Sequence, residues 1–236
     1  MGTLTGTNII DRARFTLQDS SGVRWTDAEL LTYLNDGQRE LVNFRPEAKA
    51  THANVLLAAG TEQTLPSGGL RLIKVTRNMS GSAADATGGK SIRIIEEDLV
   101  NSIDPDWHDP TVTGYSAHGS VVKNYIFDGD DPKKFYVYPG IKSGSSAYIE
   151  IVYSALPTDL SSVSSTIDVD DIYGNALLNF VLYRAYLKDA EYAANNQRAG
   201  SHYQLFTSSI AGGGQAELSL DPNVARGATA TPGAGV

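Results

Sequence analysis

The chain contains no cysteine among its 236 residues. This absence excludes a disulfide framework and any metal site built from thiolates, and it agrees with assembly in a reducing cytoplasm. The sequence also lacks an apolar run long enough to cross a bilayer. Its first residues, MGTLTGTNIIDRARF, lack the apolar stretch of a signal peptide. We therefore expect neither a membrane protein nor an exported one.

The sequence also lacks the common catalytic motifs. It has no GxSxG, no GxxxxGK[ST], no HExxH and no GxGxxG after a strand pattern. The histidines at 52, 108, 118 and 202 show no i,i+4 pairing, so each is expected at the surface or satisfied in the core. We expect no enzymatic activity, no cofactor and no metal.

Three acidic segments leave alternatives open. The segment Asp104–Asp109 (DPDWHD) has carboxylates that suit a hard cation, but its two nearby prolines favour a tight turn held by Trp107. The segment 128–131 (DGDD) predicts a hairpin turn, because the spacing of a calcium loop is missing. Glu96, Glu97 and Asp98 offer carboxylates for acid–base chemistry in glycan cleavage, although an acidic helix start is more common.

The charge balance is acidic, with a formal net charge of −8 and a pI near 4.9. Such a chain is unsuited to reading a nucleic-acid sequence, because that affinity comes largely from Lys and Arg on phosphates. The acidity remains compatible with DNA passing beside the protein, since an acidic wall repels the DNA backbone. The hydrophobic content of 41% is enough for a core.

The order of patterns along the chain predicts an α+β fold. Helical periodicity covers residues 7–19, and a second helix begins at Thr26, carries Gly37 on its buried face and ends near Pro46. We expect Gly37 to mark a close approach to another helix. Six or seven short strands follow up to residue 153, and runs of strands beside runs of helices favour an antiparallel sheet or sandwich. The predicted divisions are N-terminal helices at 1–50, a β-rich module at 51–157, a long C-terminal helix at 158–211 and an extended tail at 212–236.

The long helix is expected to run from Asp168 to Ala211. Asp168, Asp170 and Asp171 supply carboxylates for its N-terminus, and three glycines from Gly212 supply its end. Its apolar face is wider than one small domain needs, which predicts a contact outside the domain. Twelve tyrosines, most of them in the second half, suit either an interface or an amphipathic core lining.

Several segments together resemble the head-to-tail adaptor proteins of short-tailed bacteriophages, of the tail tubular protein A kind. They span nearly the whole chain and occur in order: RWTDAELLTYLN (24–35), LRLIKV (70–75), RNM (77–79), PDWH (105–108), KFYVYP (134–139), DIYGNAL (171–177), YRAY (183–186) and KDAEY (188–192). Each segment alone is weak, and their agreement in order carries the resemblance.

The resemblance implies a structural protein of the virion, assembled in the host cytoplasm. It would form a ring, expected to be dodecameric, that joins the portal protein to the tail nozzle and lines part of the DNA ejection conduit. Implied subunit contacts involve Leu30, Leu34, Tyr173, Leu177, Phe180, Tyr183, Arg184 and Leu187. Implied portal-docking residues are Asp221, Pro222, Val224, Arg226 and Pro232. Two alternatives remain: an adaptor with muramidase-like activity on Glu96 or Glu97, and a glycan-binding β-module.

Overall fold

The computed structural model describes residues 2–83, 85–114, 117–188 and 193–220. Its internal contacts divide the chain into two compact units. The helical unit consists of Met1–Arg45 with Pro157–Val236, and the β unit is Pro46–Leu156. The chain therefore leaves the helical unit once, builds the β unit as an insertion, and returns.

Side-chain caps define the first two helices. Helix α1 is Gly6–Leu17, and Thr5 and Asn8 satisfy each other's backbone N–H groups in a capping box before it. Helix α2 is Asp27–Phe44, and the hydroxyl of Thr26 accepts from the backbone N–H of Glu29. The predicted start of the second helix at Thr26 is confirmed. The chain leaves this helix at Arg45, directly before Pro46, which cannot continue the backbone hydrogen bonding.

The expected single helix over 168–211 is wrong in one respect, because the structure has two α-helices in this region. A short 3₁₀ turn at Asp171–Tyr173 leads into α4 (Gly174–Lys188), and α5 is Ala193–Leu220. The pairs Phe180–Phe206 and Tyr183–Tyr203 show that α4 and α5 run antiparallel. Periodicity missed the break because both helices contribute apolar residues at similar spacing on either side of it.

The end of the last helix also differs from the prediction. Helix α5 runs to Leu220, so Gly212, Gly213 and Gly214 lie within its bounds. A glycine costs about 1 kcal/mol in a helix interior and does not by itself end one. Here Gln215, Ala216 and Glu217, which favour helix, follow the glycines. The remainder of the expected tail, 221–236, lies outside the described residues.

The described residues of the β unit form two four-stranded sheets, a 3₁₀ turn at Pro46–Lys49 and one short α-helix, α3 (Glu97–Ile103). The first sheet has the order β1-β8-β3-β4 and is antiparallel. The second has the order β2-β7-β6-β5, with β5 and β6 parallel. The strands are β1 Ala50–Leu56, β2 Gly60–Thr64, β3 Gly69–Met79, β4 Gly88–Ser91, β5 Arg93–Ile94, β6 Asn124–Phe127, β7 Lys134–Ile141 and β8 Tyr148–Ala155.

Strand β3 shows why its alternation in sequence is imperfect. Its pairing with β8 shifts register between Gly69 and Arg71, between Leu72 and Lys74, and between Val75 and Arg77. Each β-bulge adds a residue to one strand and turns the next side chains to the other face. As a result Leu72, Val75 and Asn78 are all buried although they are three residues apart.

The core of the β unit lies between its sheets. Ile149, Ile151, Leu72 and Val75 from the first sheet share one buried cluster with Phe135 and Val137 from the second. A smaller cluster of Val100, Trp107, Ile126 and Tyr138 holds α3 against the other face of the second sheet. The α+β class and the antiparallel-rich sheets are confirmed.

Candidate assembly surface of the helical unit

Helix α4 is the central element of the helical unit, because it packs against α1, α2 and α5. Its residues Leu177, Val181 and Ala185 are completely buried. Against α2, a Cβ atom added at Gly37 would lie 3.0 Å from Cδ1 of Phe180, which confirms the predicted close approach of another helix. A helix enclosed on several sides is apolar around much of its circumference. The wide apolar face of α4 is thus covered by α1, α2 and α5 of the same unit.

A row of charged and polar side chains joins the outer surfaces of α2 and α4. The Lys188 ammonium lies 2.8 Å from the Glu29 carboxylate, which also accepts from the Tyr33 hydroxyl at 2.7 Å. The Arg184 guanidinium lies 5.5 Å from the centre of the Tyr33 ring and 3.7 Å from the Asp36 carboxylate. Burial raises the pKa of Tyr33 to about 12, and its hydrogen bond to Glu29 adds to this effect.

The row continues from Asp36 to a segment distant in sequence. Arg39 forms ion pairs with Asp36 at 3.3 Å and with Asp159. Nearby, the side chain of Asn35 donates to the Leu160 carbonyl and accepts from the Leu160 N–H. These contacts fix the returning chain against α2. Exposed ion pairs contribute little to the free energy of unfolding individually. The main effect of the row is therefore on the geometry of this surface.

Aromatic rings fill the seam between α4 and α5. Phe206 is completely buried, lies 5.1 Å from the Phe180 ring, and also meets Phe44 edge-on at 6.3 Å. The His202 ring stacks on Tyr186 at 5.6 Å and pairs with Asn179 at 3.0 Å. Burial lowers the pKa of His202, so the neutral form is favoured in the folded protein. Tyr186 therefore lines the core, which is one of the two uses of tyrosine that the sequence left open.

The three aspartates expected at one helix start have three separate roles. Asp170 accepts from the N–H of Ile172 and caps the 3₁₀ turn, whereas Asp168 accepts from the N–H of Thr158. Asp171 binds the beginning of the chain, accepting from the N–H groups of Thr3 at 2.7 Å and Leu4 at 2.9 Å. These bonds, those of the Thr3 N–H first, lower the pKa of Asp171. Only tertiary structure could bring residues 3 and 171 together.

The last turn of α1 and the loop that follows it each present one apolar side chain to solvent. Phe15 is 87% exposed and Val23 is 83% exposed. The loop is nevertheless ordered by Asp19, whose carboxylate accepts from the N–H groups of Trp25 at 2.9 Å and of Val23 and Arg24 at 3.0 Å. These bonds, that of Trp25 first, lower the pKa of Asp19. Sequence reasoning missed this surface, and the apolar Val23 in a polar loop was the available signal.

The predicted subunit-contact residues separate into two groups. Leu30, Leu34, Leu177 and Phe180 are buried within the helical unit. Within one subunit, α2 and α4 cover each other at these positions, and the assignment of these residues to subunit contacts stays a prediction. Tyr173, Tyr183 and Arg184 are partly exposed, and Leu187 is 41% exposed. The predicted portal-docking residues Asp221, Pro222, Val224, Arg226 and Pro232 all lie outside the described residues.

The carboxylates considered for chemistry lie on an open surface of the β unit. Glu96 precedes α3 and Glu97 lies in its first turn, and both are exposed. In the DPDWHD segment, Trp107 is 1% exposed and its indole N–H donates to Asn101 at 2.8 Å, as expected for a turn held by this residue. Within the described residues, no group of three metal-binding side chains comes together, and no helix has the length and apolarity needed to span a membrane.

The family model of the SU10 adaptor protein matches residues 4–228, and the chain belongs to this family. The resemblance to phage head-to-tail adaptors is thereby confirmed. The chain is an adaptor of the virion that interacts with other head and tail components. No curated protein matches it.

Proposed function

We propose that this chain is the subunit of a ring that joins the portal to the tail nozzle and lines part of the DNA ejection conduit. The observation that carries the proposal is the family match over 4–228, which covers both units. A ring of twelve copies is the expected stoichiometry. Assembly takes place in the host cytoplasm, and the protein acts without enzymatic activity.

The end of α1 and the α1–α2 loop support a role in assembly. Phe15 and Val23 expose most of their apolar surface there, and exposed apolar side chains favour association. The hydrogen bonds to Asp19 hold Val23 in one conformation before any partner arrives. A preordered loop loses less conformational entropy on binding than a flexible one. We assign this loop to a contact at the head–tail junction.

The partly exposed residues of α4 provide the second support. Tyr183, Arg184 and Leu187 lie towards the C-terminal end of α4. At this end the indole N–H of Trp25 donates to the Ala185 carbonyl at 3.3 Å. Lys188 also donates to the Arg24 carbonyl at 3.1 Å, so the loop and this end of α4 form one surface. We propose subunit contacts here, and portal docking by the residues from 221 onward.

The acidic charge agrees with a conduit for DNA. A net charge of −8 per chain, repeated around a ring, gives a wall that repels phosphates and lets DNA slide. Salt should therefore have little effect on DNA binding by the ring, because few Lys or Arg contacts form.

Native mass spectrometry of the purified chain, alone and with its portal protein, tests the proposal. We expect a ring of the adaptor on the portal, and a tenfold or greater loss of portal-bound chain after Val23→Asp or after deletion of 221–236. Asp159→Asn, which changes an exposed ion pair far along the sequence, is the matched control and should bind normally. A chain that stays monomeric with the portal would refute the ring.

A further inference from the structure

Helix α5 continues beyond the packed face that its described side chains form. Phe206 is completely buried and Ile210 is 4% exposed, so both face inward. Residues on one helix face recur every three or four positions, which places Gly214 and Glu217 next on this face. Neither offers an apolar side chain that could continue the packed face. The inward apolar stripe thus ends at Ile210, although the helix backbone continues to Leu220.

A buried arginine binds α5 at the point where this stripe ends. Arg45 directly follows α2 and is 6% exposed, and its Nη1 donates to the Ile210 carbonyl oxygen at 3.2 Å. Within an α-helix, that same oxygen is the acceptor for the N–H of Gly214, four residues on. A carbonyl oxygen has two lone pairs and can accept both bonds. Arg45 thus supplies a second donor for a helix bond that depends on a glycine.

The position of Arg45 is fixed by the helix before it. Its backbone N–H donates to the Leu41 carbonyl at 2.8 Å and ends α2. The preceding residue, Phe44, meets Phe206 of α5 edge-on at 6.3 Å. The Arg45 guanidinium is therefore held against α5 by contacts that do not depend on the helical state of the residues beyond Ile210.

Arg45 meets the requirement for a helix end at this place. The last four carbonyls of a helix have no intrahelical partner and need other donors. In a helix that ends at Ala211, the carbonyls of the exposed Ser208 and Ser209 can bind water, whereas that of the buried Ile210 needs a donor from the protein. Arg45 is such a donor, and its positive charge is favoured at the negative end of the helix dipole.

The glycines weaken the part of α5 that lies beyond Ala211. Gly212, Gly213 and Gly214 are consecutive, and glycine is among the residues least favourable in a helix interior. Directly after a helix, glycine is instead favoured, because it adopts the left-handed conformation of the C-cap without strain. Only residues 215–220 follow within α5, whereas isolated helices shorter than about 12 residues are marginal in water. The chain therefore supports an end at Ala211 as well as the end at Leu220.

We propose that α5 is a helix of switchable length. In the long state, which the structure shows, α5 reaches Leu220. In the short state it ends at Ala211, Arg45 holds the Ile210 carbonyl in place of Gly214, and residues 212–220 unwind. Nine residues span about 14 Å as a helix and at most about 31 Å when extended, so unwinding lengthens the reach of the residues from 221 onward. The inference rests on the proposed docking of those residues on the portal and assigns its regulation to Arg45.

Amide hydrogen exchange of the full chain, measured residue by residue by NMR, tests the switch. We expect the amides of 214–220 to exchange at least tenfold faster than those of 206–210. Arg45→Met should slow exchange at 214–220 at least threefold, because the Ile210 carbonyl then keeps a donor in the long state only. Arg39→Met, at an exposed arginine of α2, is the matched control and should leave these rates unchanged.

Unchanged or faster exchange at 214–220 in Arg45→Met overturns the switch, since faster exchange would mean that Arg45 supports the long helix. Gln215→Pro gives a second reading even if Arg45→Met does not fold, because it keeps Arg45 and removes the long state. Exchange at 203–210 should then stay within twofold of the parent rates, since Arg45 stops the unwinding at Ala211. Unwinding that spreads into 203–210 would contradict this role of Arg45.

Binding to the portal protein tests the use of the switch in docking. Gly212→Ala with Gly214→Ala favours the long state and should lower the portal-bound fraction at least fivefold in native mass spectrometry. Gly200→Ala, which changes an open position elsewhere in α5, is the matched control and should bind normally. Normal binding of the double variant overturns the regulatory role and leaves the ring standing. Failure of the unmodified chain to bind the portal refutes the proposed function instead.

Discussion

The helical unit and the β unit are stabilised by different kinds of interaction. In the helical unit, side chains join segments far apart in sequence, as Asp171 binds Thr3 and Arg39 pairs with Asp159. In the β unit, segments far apart in sequence are joined mainly by backbone pairing between strands, for example along the length of β3 and β8. One family fold thus combines a helical unit joined by side-chain contacts with a sandwich joined by strand pairing.

The largest effect is expected from Asn78→Ala in the β unit. The Asn78 amide donates to the carbonyls of Val122 at 2.8 Å and Lys90 at 3.0 Å, and its oxygen accepts from the Val122 N–H at 2.9 Å. Removal leaves three backbone groups without this partner, two of them buried, and each buried group costs about 1–3 kcal/mol. Urea unfolding should show a loss of at least about 2 kcal/mol.

The matched control for this change is Asn54→Ala. Its amide makes one exposed hydrogen bond, to the Ala83 carbonyl, so a change below about 0.5 kcal/mol is expected. Hydrogen exchange should quicken in β3 and β6 of the Asn78 variant and stay unchanged in α4. Faster exchange in both units alike would break the contrast between them.

The next effect is expected from Gly37→Val in the helical unit. The added atoms meet Phe180, whose Cδ1 would lie 3.0 Å from the new Cβ, and overpacking costs about 1–3 kcal/mol. Gly200→Ala in α5 is the control, because nothing lies within 4 Å of its added Cβ. That variant should gain about 0.5–1 kcal/mol from helix propensity, measured by thermal unfolding. Equal behaviour of the two variants would contradict the close packing of α2 on α4.

A smaller effect concerns pH and the α4–α5 seam. His202 has a lowered pKa in the folded state, so the unfolded chain binds more protons once the pH falls below the ordinary value of 6.5. The free energy of unfolding should therefore decrease as the pH falls from 6.5 towards the folded pKa. His202→Gln should reduce this slope when urea midpoints are compared at several pH values. An unchanged slope would assign the effect to other groups.

The smallest effect is expected at the acidic helix start of the β unit. We expect no activity on murein from the parent chain, from Glu96→Gln or from Glu97→Gln, because both carboxylates are exposed, Glu96 directly before α3 and Glu97 in its first turn. A turbidity assay on purified murein measures this directly. Lysis by the parent chain that either change abolishes would establish the muramidase-like alternative.

Local signals in the sequence predicted several features correctly. Thr26 marks the start of α2 because its hydroxyl caps a helix N-terminus, and Gly37 marks a close approach because only glycine leaves room for Phe180. Trp107 was predicted to hold the turn around it, and it does. Each of these depends on chemistry within a few residues, or on a residue type with few uses.

Other features of the fold could not be predicted from local signals in the sequence. The wide apolar face of α4 indicated a partner, but periodicity cannot say whether the partner is α1, α2, α5 or another subunit. The division between α4 and α5 lacks a proline or a glycine, so its signal was weak. The bulges in β3 depend on how β8 aligns with it, and that alignment exists only after folding.

Composition and spacing along the chain predicted the α+β class, the insertion of strands between helices and the cap of α2 at Thr26, because these signals act locally. Its family resemblance followed from short segments in order. Only the folded structure shows that Leu30, Leu34 and Leu177 are core and that Phe15 and Val23 remain exposed. The physical reason is that burial is set by which faces meet, and a sequence pattern specifies a face but not its partner.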